Sequence, residues 1–163
     1  MDFLKNFFER LEGLDKHSLS NLNNVIETID FTKEDLSPYI TEPDDLPYGR
    51  NVIYRSDEFE VIVLHFPSHT KTPMHDHGRS IGCGVVIKGE MTEVSYKNRE
   101  GALEFVSKSK ATQDETFHVP NQHIHVMENN TDDSLVTLHV YSPPLSGVNY
   151  FKTRLVEENV SIS

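Results

Sequence analysis

The run FEVIVLHF, residues 59–66, decides the fold, because it marks the point where the pattern of the chain changes from helical to extended. β-Branched and aromatic residues of this kind favour strands. Shorter runs of the same character recur at residues 85–87 and 94–96, and proline and glycine bound them. Polar turn clusters lie between the apolar runs, at residues 98–101 and 129–133. From this stretch onward the sequence predicts an all-β meander or jelly roll.

Outward from this run toward the N-terminus, residues 1–45 have the spacing of helices. Apolar side chains recur every three or four positions before Gly13, at Phe3, Leu4, Phe7, Phe8 and Leu11. Ser18 or Ser20 could cap a second helix, and Asp30 opens a short third segment that ends at Ser37-Pro38. We expect these helices to pack outside the sheet. The proline-containing stretch 41–47 is the candidate boundary between the two parts.

Length and charge limit the function classes. A chain of 163 residues suffices for one sizeable core, so we expect a single domain over 1–163, with 1–45 helical and 46–163 forming the β-structure. The formal charge of −11 would repel nucleic acid, and no apolar run approaches the ~20 residues that span a bilayer. The start of the chain lacks the pattern of a secretory signal. We therefore expect a cytoplasmic monomer without nucleic-acid or membrane partners.

Two histidine doublets are the residues best suited to chemistry. In a strand, alternate side chains share a face, so His75 and His77 in HDH would point the same way toward one ion. His123 and His125 have the same spacing, and only one of them need face inward if a strand begins between them. Three metal ligands are then plausible. The alternative is that these histidines are scattered polar residues on wet strand faces.

Two further features suggest a site for an anionic ligand. Arg50 lies just ahead of the first long strand, and a guanidinium is well shaped to bind a carboxylate through paired hydrogen bonds. In VTLHVYSPP, residues 136–144, three polar side chains alternate with three apolar ones, and the polar set is Thr137, His139 and Tyr141. These three could form a relay that orients the phenol. A surface charge at Arg50 and a solvated outer face on the late strand would give the same patterns.

The context of the doublets resembles the two motifs of the cupin superfamily. His77 is followed by four residues and Gly82, then by six residues and Gly89, while His125 is followed by three residues and Asn129. The cupin pattern usually has a glutamate ligand where Gly82 stands. Its loss would leave three neutral imidazoles and open positions on an ion that prefers six ligands, which suits an anionic chelating substrate. The resemblance implies a cupin-type β-barrel, or jelly roll.

A more specific resemblance follows from four stretches in order. RN at 50–51, HDH at 75–77, HVMEN at 125–129 and LHVYSPP at 138–144 are similar to the cysteine dioxygenase family over about residues 46–150. The resemblance implies Fe(II) on His75, His77 and His125, and the spacing to Asn129 favours His125 over His123. It also implies that Arg50 holds the carboxylate of L-cysteine, with Tyr48 beside it. Tyr141 would act near the thiolate and oxygen, with His139 and Thr137 behind it. The resemblance further implies that the Ser142-Pro143 peptide is cis.

Cys83, the single cysteine, departs from many animal members of that family. Their cysteine stands at the position of Gly82 and is bonded to the tyrosine that matches Tyr141, whereas here the thiol comes one residue later. A shift of one residue turns a side chain to the opposite face of a strand. We therefore expect no thioether link and a buried, apolar role for Cys83. A Cys-His nucleophile at Cys83 is the alternative, although no feature nearby would lower its pKa.

The resemblance therefore implies an iron-dependent thiol dioxygenase that uses O2 to oxidise L-cysteine to cysteine sulfinic acid. Two alternatives stay open at this point. The first is oxidation of another small thiol such as 3-mercaptopropionate, against which Arg50 argues. The second is a non-catalytic cupin that binds a metal or small ligand, against which the relay of Thr137, His139 and Tyr141 argues.

Overall fold

The computed structural model describes residues 2–31 and 35–151, and it is mostly β-sheet. Two helices come first, α1 (Asp2–Glu12) and α2 (Leu19–Glu27), followed by a 3-10 turn at Ser37–Tyr39. The strands are β1 (Gly49–Arg55), β2 (Glu60–Phe66), β3 (Thr70–Lys71), β4 (Met74–His75), β5 (Ile81–Lys88), β6 (Glu90–Arg99), β7 (Ala102–Thr112), β8 (Thr116–Val119), β9 (Ile124–Asn129), β10 (Leu135–Ser142) and β11 (Tyr150–Phe151). None of the helices in the described ranges is long and apolar enough to span a membrane.

The strands form two antiparallel sheets. The first, sheet A, has the order β1-β2-β10-β5-β8, and the second, sheet B, has the order β11-β4-β9-β6-β7 with β3 paired to β9. Neighbours in these sheets are far apart in sequence, as in the pairing of β2 with β10, which is typical of a jelly roll. The predicted jelly-roll fold is confirmed, with two facing sheets in place of a barrel closed by continuous hydrogen bonding.

The opening run is apolar throughout because β2 is covered on both faces. Val61 and Val63 point toward the helices and join a core with Phe7 and Leu22. Ile62, Leu64 and Phe66 point the other way, into the space between the sheets, where they pack with Met127 and other side chains. A strand buried on both faces loses the apolar-polar alternation of a half-exposed strand. The same holds for β10, in which every residue is buried.

The helices lie outside sheet A, as predicted. Ser18 is the N-cap of α2, and its hydroxyl accepts a hydrogen bond of 3.1 Å from the amide of Asn21. The predicted third segment begins at Asp30, but residues 32–34 of it lie outside the described ranges. The part of it that follows is described as the 3-10 turn at Ser37–Tyr39. Residues 152–163 of the predicted β-region also lie outside the described residues.

Candidate metal centre and its cavity

Three of the predicted ligand histidines lie together on sheet B. His75 ends β4, His77 follows it, and His125 lies opposite His75 on β9. One ring nitrogen from each lies within 4.8 Å of the others, and the ring centroids are 4.6 to 4.9 Å apart. Because β4 ends at His75, the strand alternation that we used to pair His75 with His77 is not what brings them together. The turn after β4 brings the His77 ring to the cluster.

Each of these three rings donates its Nδ1 proton to a group that can only accept it. His75 Nδ1 lies 2.7 Å from the Pro73 carbonyl oxygen, and His77 Nδ1 lies 3.2 Å from the His123 carbonyl oxygen. His125 Nδ1 lies 2.7 Å from Oε2 of Glu93. A neutral imidazole that donates from Nδ1 carries its lone pair on Nε2. The Nε2 atoms of His77 and His125 are buried and lack a partner among the described residues.

Burial keeps these imidazoles neutral. Desolvation, followed by the nearby His125, lowers the pKa of His75 from 6.5 to about 4. The same two causes lower the pKa of His77 well below its usual range, and desolvation lowers that of His125. Neutral, buried nitrogen lone pairs converging on one point are the ligands that iron, zinc, copper and nickel accept from proteins. The three residues therefore fit a divalent metal ion.

Glu93, on β6, is a functional residue that sequence reasoning missed. Its Oε2 lies 2.7 Å from His125 Nδ1 and 3.3 Å from His123 Nε2. Burial opposes ionisation of Glu93, but these two hydrogen bonds outweigh it and lower its pKa to about 2. Nothing in the local sequence distinguishes Glu93 from the other acidic residues. Only the pairing of β6 with β9 brings it beneath His125.

Glu93, His123 and His125 form a second group whose atoms are close enough to hold a metal. In this group the facing atoms are already joined by hydrogen bonds to one carboxylate oxygen. The group of His75, His77 and His125 instead offers ring nitrogens with unused lone pairs. The group of His75, His77 and His125 is therefore the better candidate for the metal centre, and His123 is a neighbour of these ligands.

A cavity of about 380 Å³ opens beside the histidines and separates them from sheet A. This volume is near the lower end of the range for small-molecule pockets, ~300–1,000 Å³. Apolar side chains such as Ile62, Leu64 and Met127 line part of it. Its polar lining comprises Tyr48, Arg50, Thr72, His75, His77, His139, Tyr141 and Tyr150. Among the lining residues that the structure describes, none is acidic.

Arg50 precedes the predicted strand at residues 59–66, and it lies inside β1, a strand that was not predicted from the sequence, where it pairs with Leu64. Its guanidinium is 3.7 Å from Oε2 of Glu60, whose other oxygen lies 3.4 Å from Arg55 and accepts from the Leu145 amide at 2.9 Å. Glu60 is 2% exposed. One carboxylate between two guanidiniums leaves this group with a net charge of +1. Arg50 thus brings positive charge to a cavity without acidic lining.

Thr137, His139 and Tyr141 are joined by hydrogen bonds along β10. Thr137 Oγ1 lies 2.7 Å from His139 Nε2, and the Tyr141 hydroxyl lies 3.3 Å from His139 Nδ1. Desolvation lowers the pKa of His139 from 6.5 to about 3 and raises that of Tyr141 above its usual range, so the imidazole is neutral and the phenol keeps its proton. The Tyr141 ring also stacks on His77, with centroids 5.5 Å apart. His139 and Tyr141 line the cavity and Thr137 is buried behind His139, so none of the three faces solvent.

Gly82 and Cys83 lie on opposite sides of β5. Gly82 pairs with Tyr141, and a Cβ built on it would come within 2.6 Å of the Tyr141 ring. Cys83 pairs with Val140 and is buried in the core beneath the helices, where desolvation raises its pKa to about 12. A thiol with this pKa is a poor nucleophile at neutral pH. Cys83 is a buried apolar residue, as predicted, on the side of the strand away from Tyr141.

Tyr48, a predicted site residue, lines the cavity and stacks on Phe66, with ring centroids 5.1 Å apart. Three histidines for which the sequence predicted no role are not part of the cavity lining. His65 is 3.2 Å from the Thr41 carbonyl, His69 pairs with Asp132, and His118 is exposed on β8. The Ser142-Pro143 peptide is cis, as the resemblance implied. Of the eight predicted site residues, six line the cavity, His125 completes the histidine cluster, and Thr137 lies behind His139.

Solved structures with the same architecture define the class. An uncharacterised protein with a double-stranded β-helix domain from Klebsiella pneumoniae aligns with a TM-score of 0.56, at 17% identity over 73% of this chain and 96% of its own. A cupin domain from Schizosaccharomyces pombe aligns at 0.52, with 11% identity over 61% and 63%. An oxalate oxidase bound to the substrate analogue glycolate aligns at 0.55, with 16% identity over 83% and 76%. The protein therefore has the cupin fold, a double-stranded β-helix.

The family is narrower than the fold. The family model described as cysteine dioxygenase type I matches residues 14–154, which include the histidine cluster, Arg50 and the β10 relay. The chain belongs to the cysteine dioxygenase type I family. This membership supports an enzyme of the dioxygenase type, and the histidine cluster supports a metal centre in it.

Proposed function

We propose that the protein is an iron-dependent cysteine dioxygenase, which oxidises L-cysteine with O2 to cysteine sulfinic acid. The observation that carries this proposal is the cavity itself. Lone pairs of neutral histidines face it from sheet B, and the guanidinium of Arg50 faces it from sheet A. The histidines suit a metal ion, and Arg50 suits a carboxylate. A small ligand that bridges them must therefore both chelate the metal and carry a carboxylate, and L-cysteine does both.

In this proposal His75, His77 and His125 hold Fe(II), which would supply the positions where a thiol and O2 bind and react. Arg50 binds the substrate carboxylate through paired hydrogen bonds, with Tyr48 beside it. The absence of acidic side chains from the described lining leaves no carboxylate there to pair with an ammonium group. A substrate whose amino group is neutral when bound would fit such a lining.

Tyr141 is proposed to act as a hydrogen-bond donor toward the reacting atoms. For its proton to point into the cavity, the phenol oxygen must accept from His139 Nδ1, and His139 Nε2 must then accept from the Thr137 hydroxyl. The 2.7 Å and 3.3 Å distances along this chain allow that direction. The raised pKa of Tyr141 keeps the proton on the phenol at neutral pH. Ile62, Leu64 and Met127 give the same space an apolar lining.

The test is oxygen uptake by metal-free protein that has been loaded anaerobically with Fe(II). L-Cysteine and 3-mercaptopropionate are supplied separately, and the sulfinate product is quantified in each. We expect uptake and sulfinate in equal amounts with L-cysteine. Protein loaded with Zn(II), which has no redox chemistry, is the matched control and should consume no oxygen.

Each other outcome indicates a different function. Uptake with 3-mercaptopropionate and none with L-cysteine would keep the dioxygenase and overturn the substrate. Bound iron with no uptake for either thiol would favour a cupin that binds a ligand without turnover. The proposed partners are the two small-molecule substrates alone, and the chain is proposed to act as a cytoplasmic monomer.

A further inference from the structure

A carboxylate lies behind the histidine cluster, on the side away from the cavity. Glu93 belongs to β6, and its neighbour two residues on, Ser95, pairs with His125 of β9. The Glu93 side chain is only 13% exposed, and its Oε2 contacts His125 Nδ1 at 2.7 Å. A largely buried carboxylate is costly unless hydrogen bonds compensate it, so a contact this short is a substantial constraint on the His125 ring.

The contact with Glu93 decides which nitrogen of His125 can bind a metal. An ionised carboxylate only accepts hydrogen bonds, so Nδ1 of His125 must carry the proton and Nε2 must carry the lone pair. His125 is completely buried and its Nε2 has no partner among the described residues. Without Glu93, no contact among the described residues would prevent the His125 proton from residing on Nε2. The lone pair would then be on Nδ1 and would face away from the cluster.

His123 extends this arrangement to a second ligand. Its Nε2 lies 3.3 Å from the same carboxylate oxygen, which holds the side chain in place. Its main-chain carbonyl oxygen accepts from His77 Nδ1 at 3.2 Å, which fixes the lone pair of His77 on Nε2. Glu93 therefore contacts one ligand histidine directly and is linked to another through His123.

We propose that Glu93 is the positioning residue of the metal centre, which fixes the His125 tautomer and supplies a negative charge behind three neutral ligands. Hydrogen bonds from ligand histidines to carboxylates make the imidazole a stronger donor, and their loss typically lowers metal affinity by about 10- to 100-fold. This inference rests on the proposed function for the identity of the metal site. The tautomer of His125 in metal-free protein does not depend on that function.

The experiment compares two substitutions that separate the hydrogen bond from the charge. Glu93→Leu removes both, whereas Glu93→Gln keeps an acceptor and removes the charge. Glu90→Gln is the matched control, because Glu90 lies on the same strand and pairs at 3.6 Å with Lys110, away from the histidines. Nitrogen-15 NMR of histidine-labelled, metal-free protein reports the His125 tautomer, and titration with Co(II) reports the affinity.

We expect wild type, Glu90→Gln and Glu93→Gln to show His125 protonated on Nδ1, and Glu93→Leu to show protonation on Nε2. Co(II) affinity should fall about 10- to 100-fold in Glu93→Leu and by a smaller factor in Glu93→Gln. An unchanged tautomer in Glu93→Leu, with Co(II) affinity within about twofold of wild type, overturns the inference. If Glu93→Leu fails to fold, Glu93→Gln decides, and wild-type Co(II) affinity in that variant overturns the role of the charge.

The two proposals fail in different ways. Wild-type protein that binds no Co(II) would contradict the proposed function, and the tautomer measurement would still test Glu93. Wild-type protein that binds Co(II) while Glu93→Leu binds it equally well would leave the proposed function intact and contradict only the role of Glu93.

Discussion

The two walls of the cavity differ in what they offer a ligand. On the sheet B side, His75, His77 and His125 each donate the Nδ1 proton to a partner behind them, which leaves their Nε2 lone pairs for a shared ion, and His75 and His77 line the cavity. On sheet A, Arg50 and Tyr141 face it with N–H and O–H groups. The histidines on one wall offer acceptors, and Arg50 and Tyr141 on the other offer donors.

This difference follows from the partners behind each wall. Carbonyl and carboxylate oxygens lie behind the histidines and accept hydrogen bonds from their Nδ1 atoms, so the Nδ1 protons point away from the metal cluster. Behind Arg50 lies Glu60, which also contacts Arg55, so it does not cancel the positive charge of the pair. A cation fits the first wall and an anion fits the second, and the cavity between them suits a ligand that bridges the two.

Loss of one histidine from the accepting wall should have the largest effect. His75→Ala removes one of three ligands, and we expect metal content below about a tenth of wild type and oxygen uptake at background. His118→Ala, an exposed histidine on β8, is the control and should keep both. Metal analysis after loading with Fe(II) and buffer exchange is the measurement. Full metal content in His75→Ala would show that the ion binds elsewhere, for instance at Glu93, His123 and His125.

Acid should destabilise the metal-free protein through the neutral histidine on the donating wall. Because the folded state lowers the pKa of His139 from 6.5 to about 3, the unfolded chain binds its proton more readily. Stability from this group is complete above about pH 6.5 and is lost as pH falls, by about 3 kcal/mol at pH ~4. Urea unfolding at several pH values, compared with His139→Gln, isolates the effect. Equal pH slopes in the two proteins would contradict it.

The charge on the donating wall should control substrate affinity and not metal content. Arg50→Ala removes a charged pair of hydrogen bonds, and we expect the KM for L-cysteine to rise by about 100-fold while iron content is unchanged. Arg55→Ala is the matched control, since Arg55 contacts the same Glu60 and does not line the cavity. Steady-state oxygen uptake measures both. An unaltered KM in Arg50→Ala would show that Arg50 does not bind the substrate carboxylate.

The phenol should affect turnover more than binding. Tyr141→Phe keeps the stacking on His77 and removes the hydroxyl, and we expect kcat to fall by roughly 20-fold with KM little changed. Tyr150→Phe provides the comparison, because Tyr150 also lines the cavity but is 69% exposed. If both variants lose kcat equally, the relay from Thr137 through His139 has no special role.

The smallest change is expected at Cys83. Cys83→Ala removes a buried sulfur from the core beneath the helices and should lower the free energy of unfolding by about 1 kcal/mol. Oxygen uptake should match wild type, because the side chain lies on the far side of β5 from Tyr141. A large loss of activity would mean that the thiol takes part in the site.

Local pattern was sufficient for much of the fold. The run at residues 59–66 predicted a strand, and the helical spacing before Gly13 predicted α1. Alternation along β10 correctly put Thr137, His139 and Tyr141 on one face, because side chains alternate in any regular strand. The same rule predicted that His75 and His77 share one ion, and the two rings do lie together, but the turn after β4 places them there because the strand ends at His75. Strand ends depend on pairing partners, and no partner is visible in a short local stretch.

Glu93 and Glu60 show the limit most clearly. Each is one of many acidic residues in the sequence, and neither has a motif around it. Glu93 meets His125 only because β6 pairs with β9, across 32 residues of chain. Glu60 meets Arg50 because β2 pairs with β1, and it meets the Leu145 amide across 85 residues.

By itself the sequence determined the residue types, the face on which a long strand such as β10 places them and the family to which they belong. These properties depend on neighbours along the chain. Only the tertiary structure decided which protons face the cavity. A histidine tautomer depends on the atom behind the ring, and in two of the three ligands that atom comes from another strand or loop far along the chain.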